Sequence, residues 1–187
     1  MAEASTSNLE QALPLLWAAP QFQSSADETP DVLVTRDMNN GLAANYVLGE
    51  IGNLQYVRES DLSKVRMTRD DLHSRAVQNL AEAARRTPVD IVRQEGGSLA
   101  ALWVKEGHWS EAALLLVDEL WDKTLKALAP NGFIAAIPRP DILVFCDAGH
   151  AAGLVELRAM VTQAFHSETI TKALFRRKGL SWQRYSD

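Results

Sequence analysis

The apolar and polar positions along the chain predict a repeated unit of two strands followed by a helix. The first unit pairs a strand at 31–37 with a returning strand at 42–48 across Asn39-Asn-Gly41, a strong hairpin signal because its positions favour positive φ. A helix that begins after Thr68 completes this unit. Its apolar residues recur at helical spacing: Leu72, Ala76, Leu80 and Ala84.

Two further units repeat this order of elements. The strand, strand and helix lie at 89–93, 99–104 and 110–126, then at 132–137, 142–146 and 151–165. Hairpins that are joined through helices favour an antiparallel arrangement over a parallel nucleotide-binding sheet. The sequence therefore predicts an α+β fold, with a mostly antiparallel sheet of hairpins and helices packed on one face.

The first thirty residues carry a different pattern. Apolar residues fall on one helical face between Leu9 and Trp17, with a kink expected at Pro14, and a polar stretch from Pro20 to Pro30 follows. We therefore expect an N-terminal helix and linker at 1–30. Residues 31–187 are expected to form a single α+β domain with a basic C-terminal tail, which docks by burying Trp182.

Length and composition suit a globular protein of the cytoplasm. The chain has 187 residues, of which 47% are hydrophobic, enough to bury a core without disulfides. The single cysteine, Cys146, rules out an internal disulfide and a multi-cysteine metal site, and its place in a strand predicts burial. No targeting signal or membrane-spanning run is visible in the sequence. We expect a cytoplasmic protein with no membrane partner.

The charge is acidic overall but unevenly distributed. The net charge is -5 with a pI near 5.4, which disfavours nucleic acid as a partner. Residues 166–187 carry an excess of cations, so the acidic charge lies upstream. An acidic protein of this kind favours a basic protein partner.

Candidate chemistry is limited to a few polar residues. His73 has no second ligand at zinc spacing, and the four histidines predict no metal site. Asp118 and Asp122 lie on one face of the helix predicted at 110–126. Arg139 stands between two prolines with Asp141 beside it, which predicts a rigidly presented guanidinium for a carboxylate or phosphate. No catalytic constellation and no cofactor are predicted.

Several segments resemble the YtpQ-like family of uncharacterised bacterial proteins. The similar segments are Gly132-Phe-Ile-Ala-Ala-Ile-Pro-Arg-Pro-Asp-Ile-Leu-Val-Phe145, Tyr56-Val-Arg-Glu-Ser-Asp-Leu62, Leu72-His-Ser-Arg-Ala-Val-Gln-Asn-Leu80 and Ala113-Leu-Leu-Leu-Val-Asp-Glu-Leu-Trp121. The turn departs from the family pattern, because Pro140 separates Arg139 from Asp141. The resemblance implies an α+β fold and brings no catalytic residues, although it adds interest to His73, Asn79, Arg139 and Asp141.

Three functions remain open at this point. The leading hypothesis is a non-enzymatic protein-binding module, of which an immunity- or antitoxin-type inhibitor of a basic partner is one form. Its candidate anchors are the tryptophans, the residues most enriched at binding hot spots: Trp103, Trp109, Trp121 and Trp182. A second hypothesis is a small hydrolase or metal-assisted enzyme that uses Asp118, Glu119 or Asp122 with Arg139. A third is a homo-oligomeric structural protein whose basic tail docks on a neighbour.

Overall fold

The computed structural model describes residues 9–19, 32–49, 53–87, 89–93, 97–104, 111–164 and 170–186. The chain divides into two compact units, residues 1–83 and 84–187, where the sequence predicted one domain over 31–187. Both units contain antiparallel sheets of hairpins with helices packed against strands, so the predicted α+β class is confirmed.

The first unit is built on a four-stranded sheet. Its strands and helices are β1 (Leu13–Ala18), β2 (Thr35–Asp37), β3 (Leu42–Leu48), β4 (Gln55–Tyr56), α1 (Glu59–Val65) and α2 (Arg69–Arg86). β3 lies between β1 and β2 and also pairs with β4, and each pairing is antiparallel. All seven residues of β3 are buried, which explains why its run of apolar side chains is nearly continuous.

The turn between β2 and β3 is the one that the sequence predicted. Asn39 and Gly41 both adopt positive φ, at 58° and 86°. The side chain of Asp37 accepts a hydrogen bond from the Asn39 amide, and Asn40 accepts one from the Leu42 amide. These local bonds stabilise the reversal of the chain.

The predicted N-terminal helix is wrong for the described residues, because 13–18 form strand β1. This strand pairs with β3 from Leu13↔Val47 to Ala18↔Leu42. Pro14 is tolerated because β1 lies at the edge of the sheet, where a missing amide hydrogen breaks no ladder. The spacing of apolar residues fits a helix, but burial against β3 decides the outcome. The linker predicted at 20–30 lies outside the described residues.

The second unit is built on a six-stranded antiparallel sheet in the order β10-β9-β7-β8-β6-β5. Its strands are β5 (Val89–Arg93), β6 (Ala100–Val104), β7 (Phe133–Arg139), β8 (Ile142–Asp147), β9 (Leu174–Lys178) and β10 (Ser181–Tyr185). The basic tail is therefore a hairpin that extends the sheet by pairing β9 with β7, and Trp182 is buried as predicted.

Helical segments cover both faces of this second sheet. Helix α3 (Ala151–Ala164) packs Leu157 and Val161 against Ile134 and Cys146 on one face. The neighbouring residue Phe133 points to the opposite face, as alternation along a strand requires, and contacts Trp121 there. The sequence predicts helices on one face of the sheet, so the helical segments on the second face differ from that prediction.

The segment predicted as one helix over 110–126 is irregular where it is described. It consists of a 3₁₀ helix at Glu111–Leu116, a π-helical turn at Leu120–Thr124 and a short 3₁₀ turn at Lys126–Leu128. This irregular helical segment places Trp121 at the centre of an aromatic cluster with Phe133, Phe145 and Trp182. Three edge-to-face contacts with centroids 4.8–5.4 Å apart explain the departure from a regular helix, because packing overrides local propensity.

Candidate functional site

Asp118 and Asp122 come together at Arg177, a buried arginine that lies more than fifty residues further along the chain. Nη2 of Arg177 donates to Asp118 at 2.9 Å and to both oxygens of Asp122 at 3.0 and 3.1 Å. The side chain of Arg177 is 5% exposed, and its guanidinium lies 5.7 Å from the ring centroid of Trp182. In this arrangement both carboxylates serve as the counter-charge of a buried cation.

The geometry disfavours a metal ion between these two carboxylates. The Arg177 guanidinium occupies the space between them, and its positive charge would repel a cation placed beside it. Within the described part of the chain, no group of three histidine, cysteine, aspartate or glutamate side chains could hold a metal ion.

Arg139 and Asp141 also pair with each other, at the tip of the β7–β8 hairpin. Nε and Nη2 of Arg139 donate to the two carboxylate oxygens of Asp141 at 2.9 and 3.0 Å, a fork-to-fork geometry. The carbonyl of Pro140 accepts a hydrogen bond from the Ala112 amide, which ties the turn to the irregular helical segment. The Nε–Nη2 side of the guanidinium is therefore engaged within its own turn, and recognition of an external carboxylate or phosphate by Arg139 stays a prediction.

His73 belongs to the first unit, where it faces a buried tyrosine on β3. The hydroxyl of Tyr46 and Nδ1 of His73 lie 2.9 Å apart. Burial raises the pKa of Tyr46 to about 12. Burial also lowers the pKa of His73, and the nearby Arg36 cation lowers it further. The pair therefore shares a hydrogen bond between a protonated phenol and an uncharged imidazole near neutral pH.

Asn79, two turns further along α2, also has a structural partner. Its side-chain amide donates to the carbonyls of Glu10 and Ala12 at 2.7 and 2.9 Å, which fixes the turn that leads into β1. Leu72, Ala76 and Leu80 form the buried stripe of the same helix. The segment 72–80 thus has a structural role in the first unit, through its buried apolar stripe and through the hydrogen bonds of Asn79 to backbone carbonyls.

A cleft of about 300 Å³ lies in the second unit at the start of α3. Arg93, Asn131, Asp147 and His150 contribute its polar lining. Burial opposes the ionisation of Asp147, but hydrogen bonds from Asn131 and Gly149 outweigh it and hold the pKa of this carboxyl below its ordinary value. Nδ1 of His150 accepts a hydrogen bond from the Gly153 amide and so caps the helix. Asn131, Asp147 and His150 therefore already stabilise the turns that carry them.

The tryptophans differ sharply in exposure. Trp121 and Trp182 are buried, and each indole N–H donates to a carbonyl of the 3₁₀ helix, from Leu114 and Leu115 respectively. Trp109 lies outside the described residues. Trp103 on β6 is 57% exposed, and Val92 on the neighbouring strand β5 is 56% exposed.

Trp103 and Val92 lie on the same face of the sheet. Trp103 pairs with Asp90, and Val92 pairs with Ala101, so alternation along the two strands brings both side chains to one side. Ala101 packs against the cluster beneath α3, which identifies this side as the α3 face. We call Asp90, Val92 and Trp103 the β5–β6 surface. Large apolar side chains exposed beside each other are one feature of interaction surfaces.

Comparisons with protein-family models, curated proteins and solved structures found no match to this chain. The resemblance to the YtpQ-like family stays an expectation. Among the described helices, none is long and apolar enough to cross a membrane.

Proposed function

We propose that this chain is a non-enzymatic module that binds another protein through the β5–β6 surface. The observation that carries the proposal is the exposure of Trp103, whose indole stands on a rigid sheet beside the exposed Val92. Tryptophan side chains contribute a large share of binding free energy at protein interfaces, particularly where apolar neighbours exclude water around them. An anchor on a strand is also held in place before binding, so little conformational entropy is lost.

Charge supports a basic partner. Residues 1–83 contain twelve acidic and six basic side chains, whereas residues 84–187 contain twelve acidic and thirteen basic ones. The excess acid therefore belongs to the first unit and the apolar anchor to the second. An immunity- or antitoxin-type inhibitor would use the net acidic charge of the chain to accelerate the encounter and Trp103 to prolong the complex.

The two alternatives have less support. Asp118 and Asp122, the carboxylates of the hydrolase hypothesis, already pair with Arg177. The homo-oligomer hypothesis requires the basic tail to dock on a neighbouring copy, whereas β9 of this tail pairs with β7 of its own chain.

Binding can be tested by isolating the tagged chain from native lysate and reconstituting any complex from purified components. We expect a stoichiometric protein partner whose affinity falls by about 2 kcal/mol in Trp103→Ala. The matched control is Val155→Ala, which truncates an exposed apolar side chain on α3 instead of one on the β5–β6 surface. It should leave the affinity unchanged. A reconstituted complex that tolerates Trp103→Ala, or the absence of any partner, would contradict the proposal.

A further inference from the structure

Asparagine followed by glycine occurs twice in the chain, at Asn40-Gly41 and at Asn131-Gly132. This dipeptide is especially prone to deamidation, because glycine has no side chain to keep its backbone nitrogen away from the asparagine side chain. Both glycines adopt positive φ, at 86° for Gly41 and 97° for Gly132. The dipeptide and the glycine conformation therefore do not separate the two sites, whereas their hydrogen bonds do.

At the tip of the β2–β3 hairpin, the side chain of Asn40 is folded forward along the chain. Its Oδ1 accepts a hydrogen bond from the Leu42 amide at 3.0 Å. This bond spans Gly41, so it turns Cγ of Asn40 toward the Gly41 nitrogen. The Leu42 N–H also polarises the side-chain carbonyl and stabilises the negative charge that develops on Oδ1 when a nucleophile adds to Cγ.

The nitrogen of Gly41 is accessible as that nucleophile. Gly41 is exposed, and no backbone carbonyl of the described residues accepts a hydrogen bond from its amide. The amide must lose its proton to a base from solvent before the nitrogen attacks, and exposed amides outside the hydrogen-bonded ladder do so without prior unfolding. Attack on Asn40 therefore requires no opening of the hairpin.

Asn131 is held in the opposite way. Its Nδ2 and its backbone N–H donate to the two carboxylate oxygens of Asp147, each at 3.0 Å. The side chain is seated against Gly149, where an added Cβ would lie 2.7 Å from Nδ2. The Gly132 amide donates to the carbonyl of Ala129 at 3.0 Å, so its proton is protected. Attack on Asn131 therefore requires a local opening that breaks these bonds.

We propose that Asn40 is a site of spontaneous deamidation in the folded protein and that Asn131 is protected from the same reaction. The deprotonated Gly41 nitrogen forms a C–N bond to Cγ of Asn40. The bond from Cγ to the side-chain nitrogen breaks, and this nitrogen takes up protons and leaves as ammonia. The product is a five-membered succinimide. Water then opens the ring, at Cγ to give aspartate or at the main-chain carbonyl carbon to give isoaspartate, so one amide and one water become one carboxylic acid and one ammonia.

The two products differ in their effect on the hairpin. An aspartate at position 40 keeps an oxygen that can accept the hydrogen bond from the Leu42 amide. In an isoaspartate the main chain runs through Cβ and Cγ, which lengthens the turn by one carbon and moves the acceptor out of place. The turn between β2 and β3 is therefore weakened by isoaspartate more than by aspartate, although both add a negative charge.

Deamidation is measured on the full chain, which is incubated folded or in guanidinium chloride at mildly alkaline pH and then digested at acidic pH, where the reaction is slow. Mass spectrometry of the peptides resolves the two sites. In the folded chain we expect Asn131 to convert at least about tenfold more slowly than Asn40, because it must first open locally. In denaturant the two rates should be similar, since each dipeptide is then exposed.

Two variants separate the causes. Asp147→Ala removes the carboxylate that holds Asn131, so it should accelerate conversion at position 131 and leave the rate at Asn40 unchanged. Asn40→Ser keeps an oxygen that can accept from the Leu42 amide and should abolish the modification of the hairpin. A chain enriched in isoaspartate at position 40 should unfold at a lower urea concentration than Asn40→Asp does.

Conversion of Asn40 as slow as that of Asn131 in the folded chain would show that the hairpin protects it, and would overturn the proposal. Conversion of Asn131 as fast as that of Asn40 would equally overturn the protection of the second site. An unchanged rate at position 131 in a folded Asp147→Ala chain would rule out the carboxylate as its cause. The comparison of the two sites in the original chain decides the proposal even where Asp147→Ala fails to fold.

Discussion

Asp122→Asn is expected to destabilise the second unit more than Asp118→Asn does. Asp122 receives three of the four hydrogen bonds from Arg177, at 3.0, 3.1 and 3.3 Å, whereas Asp118 receives one at 2.9 Å. A hydrogen bond to a charged group contributes about 1.5–3 kcal/mol, and nearly half of each carboxylate is exposed and therefore screened. We expect a loss of about 1 kcal/mol for Asp118→Asn and about 2 kcal/mol for Asp122→Asn.

The double substitution should cost more than the sum of the two, about 4 kcal/mol. With both carboxylates gone, the nearly buried guanidinium of Arg177 keeps no counter-charge, and an uncompensated buried charge is expensive. Either carboxylate alone still compensates it in part. The cost beyond the sum of the two single substitutions therefore measures the energetic coupling between Asp118 and Asp122.

Urea unfolding followed by tryptophan fluorescence measures these values, because Trp121 and Trp182 lie in the same cluster as Arg177. Arg177→Met is the matched control, since it removes the charge and retains an aliphatic side chain against Trp182. It should cost less than the double substitution, because the half-exposed carboxylates return to water. Equal costs for the two single variants, or a larger cost for Arg177→Met than for the double variant, would refute the reasoning.

Three other outcomes follow from buried groups. Stability should fall as pH decreases through about 6.5 toward the lower folded pKa of His73, because the unfolded chain binds the proton more tightly, and His73→Gln should flatten this dependence. Burial raises the pKa of the Cys146 thiol to about 11, so a thiol reagent should label it far more slowly in the native protein than in denaturant. Trp182→Ala should cost about 3–4 kcal/mol, because it removes a ring 4.8 Å from that of Trp121.

Each of these outcomes has a control. Tyr46→Phe keeps the ring and removes the hydroxyl that meets His73, so it should change stability near neutral pH while the titration of His73 persists. Native labelling of Cys146 as fast as in denaturant would place the thiol at the surface. Trp103→Ala should cost less than about 0.5 kcal/mol, since its indole is mostly exposed, and an equal cost for Trp103→Ala and Trp182→Ala would contradict the burial assigned to them.

Local signals were enough to predict most of the second unit and the hairpin of the first. Strand β3 has the predicted bounds of 42–48, and Thr68 and Asp71 cap α2 with reciprocal hydrogen bonds. These elements depend on turn residues, caps and periodicity within a few positions. The apolar residues of β1 also fit a helical spacing, so the sequence alone predicts a helix there. What makes the segment a strand is its pairing with β3, which begins more than twenty residues further along the chain.

The candidate site could be predicted only in part for a similar reason. The spacing of Asp118 and Asp122 correctly placed them together, but their partner Arg177 lies more than fifty residues away. The mixture of cations with Leu180, Trp182 and Tyr185 predicts a docked tail, whereas the signal for a terminal hairpin is the alternation of polar and apolar residues around Lys178-Gly-Leu-Ser181. Trp103 is the most exposed of the described tryptophans, and its exposure depends on tertiary packing, which no local pattern contains.

The position of the terminal hairpin has a consequence for synthesis of the chain. β9 pairs with β7, and Trp182 closes the aromatic cluster around Trp121. While residue 182 is still inside the ribosome, Trp121, Phe133 and the edge of β7 that pairs with β9 are therefore exposed. Folding of the second unit during translation should remain incomplete until β9 and β10 emerge, and chaperone binding or aggregation is favoured during that interval.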